Sequence, residues 1–190
     1  MVRTEVQRQQ QQGRAVRLMF QDEARFGRLQ DPRRAWAPPG VRPLVPTEIV
    51  REYGYAYAAV SPHDGVLDSL VLPDVNAERM SLFLAEVARR HADEFILMVL
   101  DGAGWHTAHA LHVPERMRLY PLPARSPELN PVEHVWDELR EKRLCNRFFD
   151  CQEAVDRQVA RGLTALERNP AQVASLAGFA WITAIPLTAP

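Results

Sequence analysis

The sequence predicts an α/β fold in which a mixed central β-sheet carries helices on both faces. Three observations lead there. Strand-like segments joined by turns come first, and strands alternating with helices follow, an order that suits a mixed sheet. The apolar run FILMVL (95–100) has the character of a strand covered on both faces. Met80, Phe83, Leu84 and Val87 recur at helical spacing, which gives a helix one stripe to bury.

Each element has its own local signal. Residues 1–14 form a polar leader with the run Gln9–Gln12, either disordered or helical. AVRLMFQDEARF (15–26) reads as a strand in which Val16, Leu18, Phe20 and Asp22 share one parity and Glu23 points the other way. RAWAPPGVRP (34–43) reads as a short strand broken by a Pro-Gly turn. Residues 52–73 read as a hairpin turning at Pro62–Gly65. Asn76 caps the next helix, with Glu78 in its first turn and Arg89 and Arg90 at its basic end. A buried strand over 94–100 then ends at Asp101. A short helix is expected over His106–His112, a strand over 117–123, a long helix from Pro131 to about Arg147 and an amphipathic helix over 151–167.

Composition sets bounds on function. At 190 residues, 46% hydrophobic and 25% charged, the chain is expected to be one globular domain with a sizeable core. Its longest apolar run is too short to span a bilayer, and the N-terminal segment lacks a signal-peptide core, so a cytoplasmic protein is expected. Cys145 and Cys151 match no zinc spacing and read as reduced thiols. His106, His109 and His112 stand three apart and drift round a helix, so the three would not converge on one ion. A net charge of −1 does not mark a nucleic-acid binder. Arginines nevertheless cluster at Arg25, Arg28, Arg33, Arg34, Arg42 and Arg51, against Asp31 and Glu48, and again at Arg140, Lys142, Arg143 and Arg147. Such groups either hold phosphates or form a solvated surface.

The chemistry centres on three acids. Asp22 and Asp101 each follow an apolar row, and a carboxylate leaving a buried strand needs water, a partner or a metal. Alone, either reads as an ordinary strand-end residue. In SPELNPVEHVW (126–136), Asn130 reads as an N-cap, Pro131 as the first helical residue and Glu133 as the far member of a capping box. Taken together, the three acids offer hard oxygen ligands suited to Mg²⁺ or Mn²⁺ and to two-metal phosphoryl chemistry. Trp136 and Trp181 read as packing residues.

FQDEARFG around Asp22, LDGAGWH around Asp101 and SPELNPVEHVW around Glu133 resemble the catalytic segments of Tc/mariner-type transposases, in their bacterial insertion-sequence branch. The third segment is the most specific, and the resemblance runs from about Val16 to about Trp181. It implies an RNase H-like fold over residues 15–185 and an aspartate–aspartate–glutamate triad of Asp22, Asp101 and Glu133. It also implies two divalent ions, Mg²⁺ or Mn²⁺, and metal-dependent DNA strand cleavage and strand transfer during transposition. Transposon ends and target DNA would be the partners, in a homo-oligomeric complex. Of the basic residues, Arg25, Arg28, Arg33 and Arg34 are candidate DNA contacts, and His106 is a candidate polar or DNA-facing residue. The sequence departs from the pattern at Gly102, where many relatives have Asn. Relatives also carry helix-turn-helix modules before the catalytic domain. The expectation is therefore a split or frameshifted gene, with a separately encoded helix-turn-helix subunit, or a truncated remnant. Two other functions stay open: a catalytically incompetent fragment acting as a regulatory or dimerisation partner, and an RNase H-like nuclease without strand transfer.

Overall fold

The strand Ala15–Gly27 (β1) is the axis of the structure, a computed structural model that describes residues 2–28, 32–45, 49–106 and 109–187. The hairpin of Tyr53–Ser61 (β2) and Val66–Leu72 (β3) adds antiparallel to one side of β1. On the other side Glu94–Leu100 (β4) and Met117–Pro121 (β5) add in parallel, giving the order β3-β2-β1-β4-β5. The sheet is therefore mixed, as the element order implies. In the parallel register Phe20 stands opposite Val99. The parallel ladder ends at that pair; Asp22 stands two residues past Phe20, and Asp101, directly after β4, two past Val99.

Period-two alternation along β1 divides the core. Val16, Leu18, Phe20, Ala24 and Phe26 face one side, where they meet the helices Val132–Leu139 (α3) and Gln152–Glu167 (α4) through Val135, Trp136, Leu139, Val159 and Leu163. Met19 faces the other, with Tyr57, Ile96 and Met98, against Met80, Phe83, Leu84 and Val87 of Ala77–Arg90 (α2). Helices thus cover both faces. The Asn76 side chain accepts the Arg79 N–H at 2.9 Å, so the cap expected of it is formed. The polar leader is a helix, Val2–Gln11 (α1), with Val6 buried against the sheet and Glu5 paired with Arg118 at 3.0 Å. Two further helices, Pro170–Ala177 (α5) and Ala180–Thr183 (α6), close the chain.

Three expectations of local structure are corrected. No strand forms within the described residues of 34–43. The turn is real, with the Val41 N–H on the Pro38 carbonyl at 3.1 Å and Gly40 at φ 80°. However, Pro38, Pro39 and Pro43 have no N–H to give a ladder, and Trp36 and Leu44 stand fully or almost fully exposed. The segment is an extended arm, anchored where Asn146 Oδ1 accepts the Arg33 N–H (2.9 Å) and Asn146 Nδ2 donates to the Arg33 carbonyl (3.0 Å). The long helix expected to reach Arg147 gives way at Arg140–Leu144 to a wider π turn, closed by the Cys145 N–H on the Arg140 carbonyl at 2.8 Å. Asn146 then takes a left-handed φ of 54° and ends it. The third correction, the capping box, belongs to the site below. The short helix expected over His106–His112 crosses residues 107 and 108, which lie outside the described residues, as do Asp31 and Glu48. A single 3-10 turn, Gly104–His106, stands at its start. Among the described residues no helix is long and apolar enough to cross a membrane.

Gly65 is where the hairpin turn meets α5. Its φ is +71°, and a Cβ there would stand 1.9 Å from the Pro170 carbonyl oxygen. Gly65→Ala is therefore expected to cost about 2 kcal/mol or more, through left-handed strain and displacement of α5. A urea melt with an unchanged midpoint would contradict this packing.

Candidate active site

Asp22, Asp101 and Glu133 line one cleft of about 350 Å³, walled by Gly102, Ala103, the Leu122–Pro127 segment and Asn130. Asp22 stands within β1 just past its last parallel pair with β4, and Asp101 directly follows the end of β4. Asn130 delivers the glutamate. Buried at 4% exposure, its Nδ2 donates to the Gln21 carbonyl at 3.1 Å, while its Oδ1 accepts the Val132 N–H at 3.2 Å. The start of α3 is thereby tied to the backbone beside Asp22. Pro131 follows with helical backbone angles, φ −67° and ψ −13°. The capping box is not made: the Asn130 N–H that Glu133 would satisfy donates instead to the Pro127 carbonyl at 2.9 Å. Glu133 is left to face the cleft.

Asp22 is strongly perturbed. Its carboxyl is pushed up to about 7, mainly by burial and further by the charges of Glu133 and Glu23. A hydrogen bond from the Trp136 indole N–H to Oδ2, at 3.0 Å, works in the opposite direction. Trp136 is buried as its packing role requires, and it also holds the orientation of Asp22.

Glu23 and His106 lie on the other side of β1. The Glu23 side chain is 6% exposed, with Oε1 at 3.0 Å from His106 Nε2 and accepting the Trp105 indole N–H at 3.2 Å. His106 Nδ1 stands 3.1 Å from the Asp101 carbonyl oxygen and 2.9 Å from Asp101 Oδ1, which also accepts the Ala103 N–H at 3.0 Å. Burial alone would lower the His106 pKa, but the hydrogen bond and charge of Glu23, joined by Asp101, raise it overall. Its side chain is 1% exposed, so the DNA-facing expectation for His106 is corrected: both ring nitrogens are committed inside the protein.

The arginines stand apart from the acids, and none of the four is among the described residues lining the cleft. Arg25 is exposed, with its guanidinium 4.3 Å over the Tyr53 ring. Arg28 is largely buried, bonded to the Phe149 carbonyl at 3.1 Å and near Glu52, which does not suit a phosphate contact. Arg33 and Arg34 are exposed on the arm. Sequence reasoning missed Arg125, the one basic residue lining the cleft among the described residues. It has a left-handed φ of 59°, which for a residue with a side chain marks a constrained turn. The nearby Pro123 and Pro127 signal a turn, but nothing in the sequence shows its direction.

The donor set suits a hard divalent cation: three carboxylates line one cleft, one of them holding its proton to near neutrality, mainly through burial. Among the described residues no three His, Cys, Asp or Glu side chains converge tightly enough to enclose a metal by themselves. An ion here would complete its shell with water or substrate oxygens, as Mg²⁺ commonly does.

The fold is RNase H-like. The chain belongs to the DDE superfamily endonucleases, whose family pattern matches residues 17–156. It is 45% identical over 98 residues to the uncharacterized protein y4pE/y4sA of Sinorhizobium fredii (strain NBRC 101917 / NGR234), covering 51% of this chain and 73% of that one. In three dimensions it resembles the Mos1 transposase paired-end complex with left transposon end, at a TM-score of 0.55 and 19% identity over 92% of this chain. The Mos1 mariner paired-end complex with Mn gives a TM-score of 0.54, again at 19% identity, over 93% of this chain. The chain spans only 59% and 60% of those two Mos1 chains.

The raised Asp22 pKa carries a sign for stability. The folded chain keeps this proton to about pH 7, whereas a free aspartate loses it near 3.8. Asp22 therefore supports the fold at low pH, and that support is lost as pH rises through about 7. In metal-free protein at pH 8, Asp22→Asn is expected to melt higher than wild type by on the order of 5 °C, with the gap closing towards pH 4. A gap independent of pH in calorimetric melts would contradict the assignment.

Proposed function

We propose that this chain is the catalytic core of an insertion-sequence transposase, carrying out metal-dependent DNA strand cleavage and strand transfer. The observation that carries the proposal is the meeting of Asp22, Asp101 and Glu133 in one cleft from three separate elements. Family membership and the Mos1 likeness support the same reading. Asp22, Asp101 and Glu133 would hold Mg²⁺ or Mn²⁺, as two ions on the resemblance to the transposase family. When bound, such ions activate an attacking water or hydroxyl and stabilise charge on the leaving oxygen. The protein's own residues set the geometry. Trp136 fixes Asp22, and Asn130 fixes the helix start and so aims Glu133. Arg125 brings positive charge to the rim of an otherwise acidic cleft, where a phosphodiester backbone would pass.

The partners on this reading are transposon ends and target DNA, the working form is a homo-oligomer, and a separately encoded helix-turn-helix subunit would supply end recognition. The setting would be the bacterial cytoplasm.

The full chain, incubated with Mg²⁺ and duplexes carrying the inverted repeats that flank its reading frame, is expected to give nicked and joined products. Ala at Asp22, Asp101 or Glu133 should reduce product by at least about 10³-fold with the fold intact. Wild-type cleavage by Glu133→Ala would refute the triad. Nicking without joining would leave a nuclease and not a transposase. Arg125→Ala is expected to weaken DNA binding and to lower the slope of log affinity against log salt by about 1, measured by fluorescence anisotropy.

A further inference from the structure

Asp101 presents a problem of aim. Its side chain is 54% exposed, and an exposed carboxylate ordinarily turns freely between rotamers. Here one oxygen is fixed. Oδ1 accepts the Ala103 N–H at 3.0 Å and lies 2.9 Å from His106 Nδ1, which also stands 3.1 Å from the Asp101 carbonyl oxygen and so holds both the backbone and the side chain of Asp101, whereas Oδ2 has no hydrogen-bond partner among the described residues. The fixing group is itself held from behind. His106 Nε2 stands 3.0 Å from Glu23 Oε1, so each ring nitrogen faces an oxygen and a ring flip would break both contacts. Glu23 is in turn pinned by the Trp105 indole at 3.2 Å. Glu23 and His106 are both nearly inaccessible, at 6% and 1% side-chain exposure. Burying a carboxylate in this way is costly unless its partners are fixed.

We propose that Glu23 and His106 are positioning residues of the active site, forming a buried clamp that turns the free oxygen of Asp101 to a divalent cation. Consecutive residues of one strand then serve the same centre from opposite faces. Asp22 enters the cleft directly, and Glu23 reaches it through His106 and Asp101. The inference rests on the proposed function in one respect, that Asp101 is a ligand.

The test is Mn²⁺ binding to the full chain, followed by electron paramagnetic resonance, with thermal melts as the control for folding. Glu23→Met removes the acceptor at similar bulk, and His106→Ala removes the link. Each is expected to weaken Mn²⁺ about tenfold or more, the range seen when partners of metal ligands are lost. Glu23→Gln keeps an acceptor oxygen, and His106→Asn keeps a donor for Asp101. Both should recover part of the loss. Mn²⁺ affinity within twofold of wild type in folded Glu23→Met and His106→Ala would overturn the clamp, as would equal weakening by Glu23→Met and Glu23→Gln. Should His106→Ala not fold, Glu23→Met and His106→Asn decide. Asp101→Asn separates the two readings: if it binds Mn²⁺ as wild type does, or wild type binds none, the ligand assignment itself falls and the clamp with it.

Discussion

The parallel register between β1 and β4 is the constraint on which the site depends. With Phe20 opposite Val99, the aspartates two residues beyond each both reach the cleft. A slip of one residue would turn Asp22 to the α2 face and Glu23 to the cleft. The register is held by burial on both faces: Leu18, Phe20 and Leu97 cannot exchange with Met19, Ile96 and Met98 without emptying one core and crowding the other. The strands thus bring together two acidic side chains that would not associate by themselves.

The third acid depends on a single amide. Asn130 joins the backbone of β1 to the first turn of α3, so strand and helix cannot move apart without leaving the Gln21 carbonyl and the Asn130 amide nitrogen without each other. Trp136, one turn into the same helix, reaches back to Asp22. Helix and strand therefore hold each other twice, once through the Asn130 amide nitrogen and once through the Trp136 indole. Alignment of this kind is what a site needs when its own charges push its parts apart.

Much of this was legible because it followed from periodicity. The parity of Val16, Leu18, Phe20 and Asp22 separates Asp22 from Glu23, and the two side chains do point to opposite faces. The hairpin, the Asn76 cap and the buried strand ending at Asp101 follow local signals that no tertiary contact overrides. What failed did so where a distant partner decides. The capping box lost because a preceding 3-10 turn, Pro127–Leu129, takes up the Asn130 N–H. The arm resembled a strand by composition, but its prolines leave a neighbour too few N–H groups to pair with. His106 looked exposed because nothing local shows that Glu23, 83 positions earlier, lies across from it. Arg125 escaped notice because a left-handed backbone is set by the turn's surroundings.

The proton that Asp22 keeps to about pH 7 has a consequence for how the site fills. On the reading proposed above, the oxygens that carry this proton are the ones a cation would use. Loading is then an exchange, in which Asp22 gives up a proton to the solvent for the ion it receives. The empty site is correspondingly less negative than its three carboxylates imply, and its affinity for ions rises as the surrounding solution becomes more alkaline. An acid that costs the fold stability at high pH is, by the same property, the valve that sets when the centre is charged.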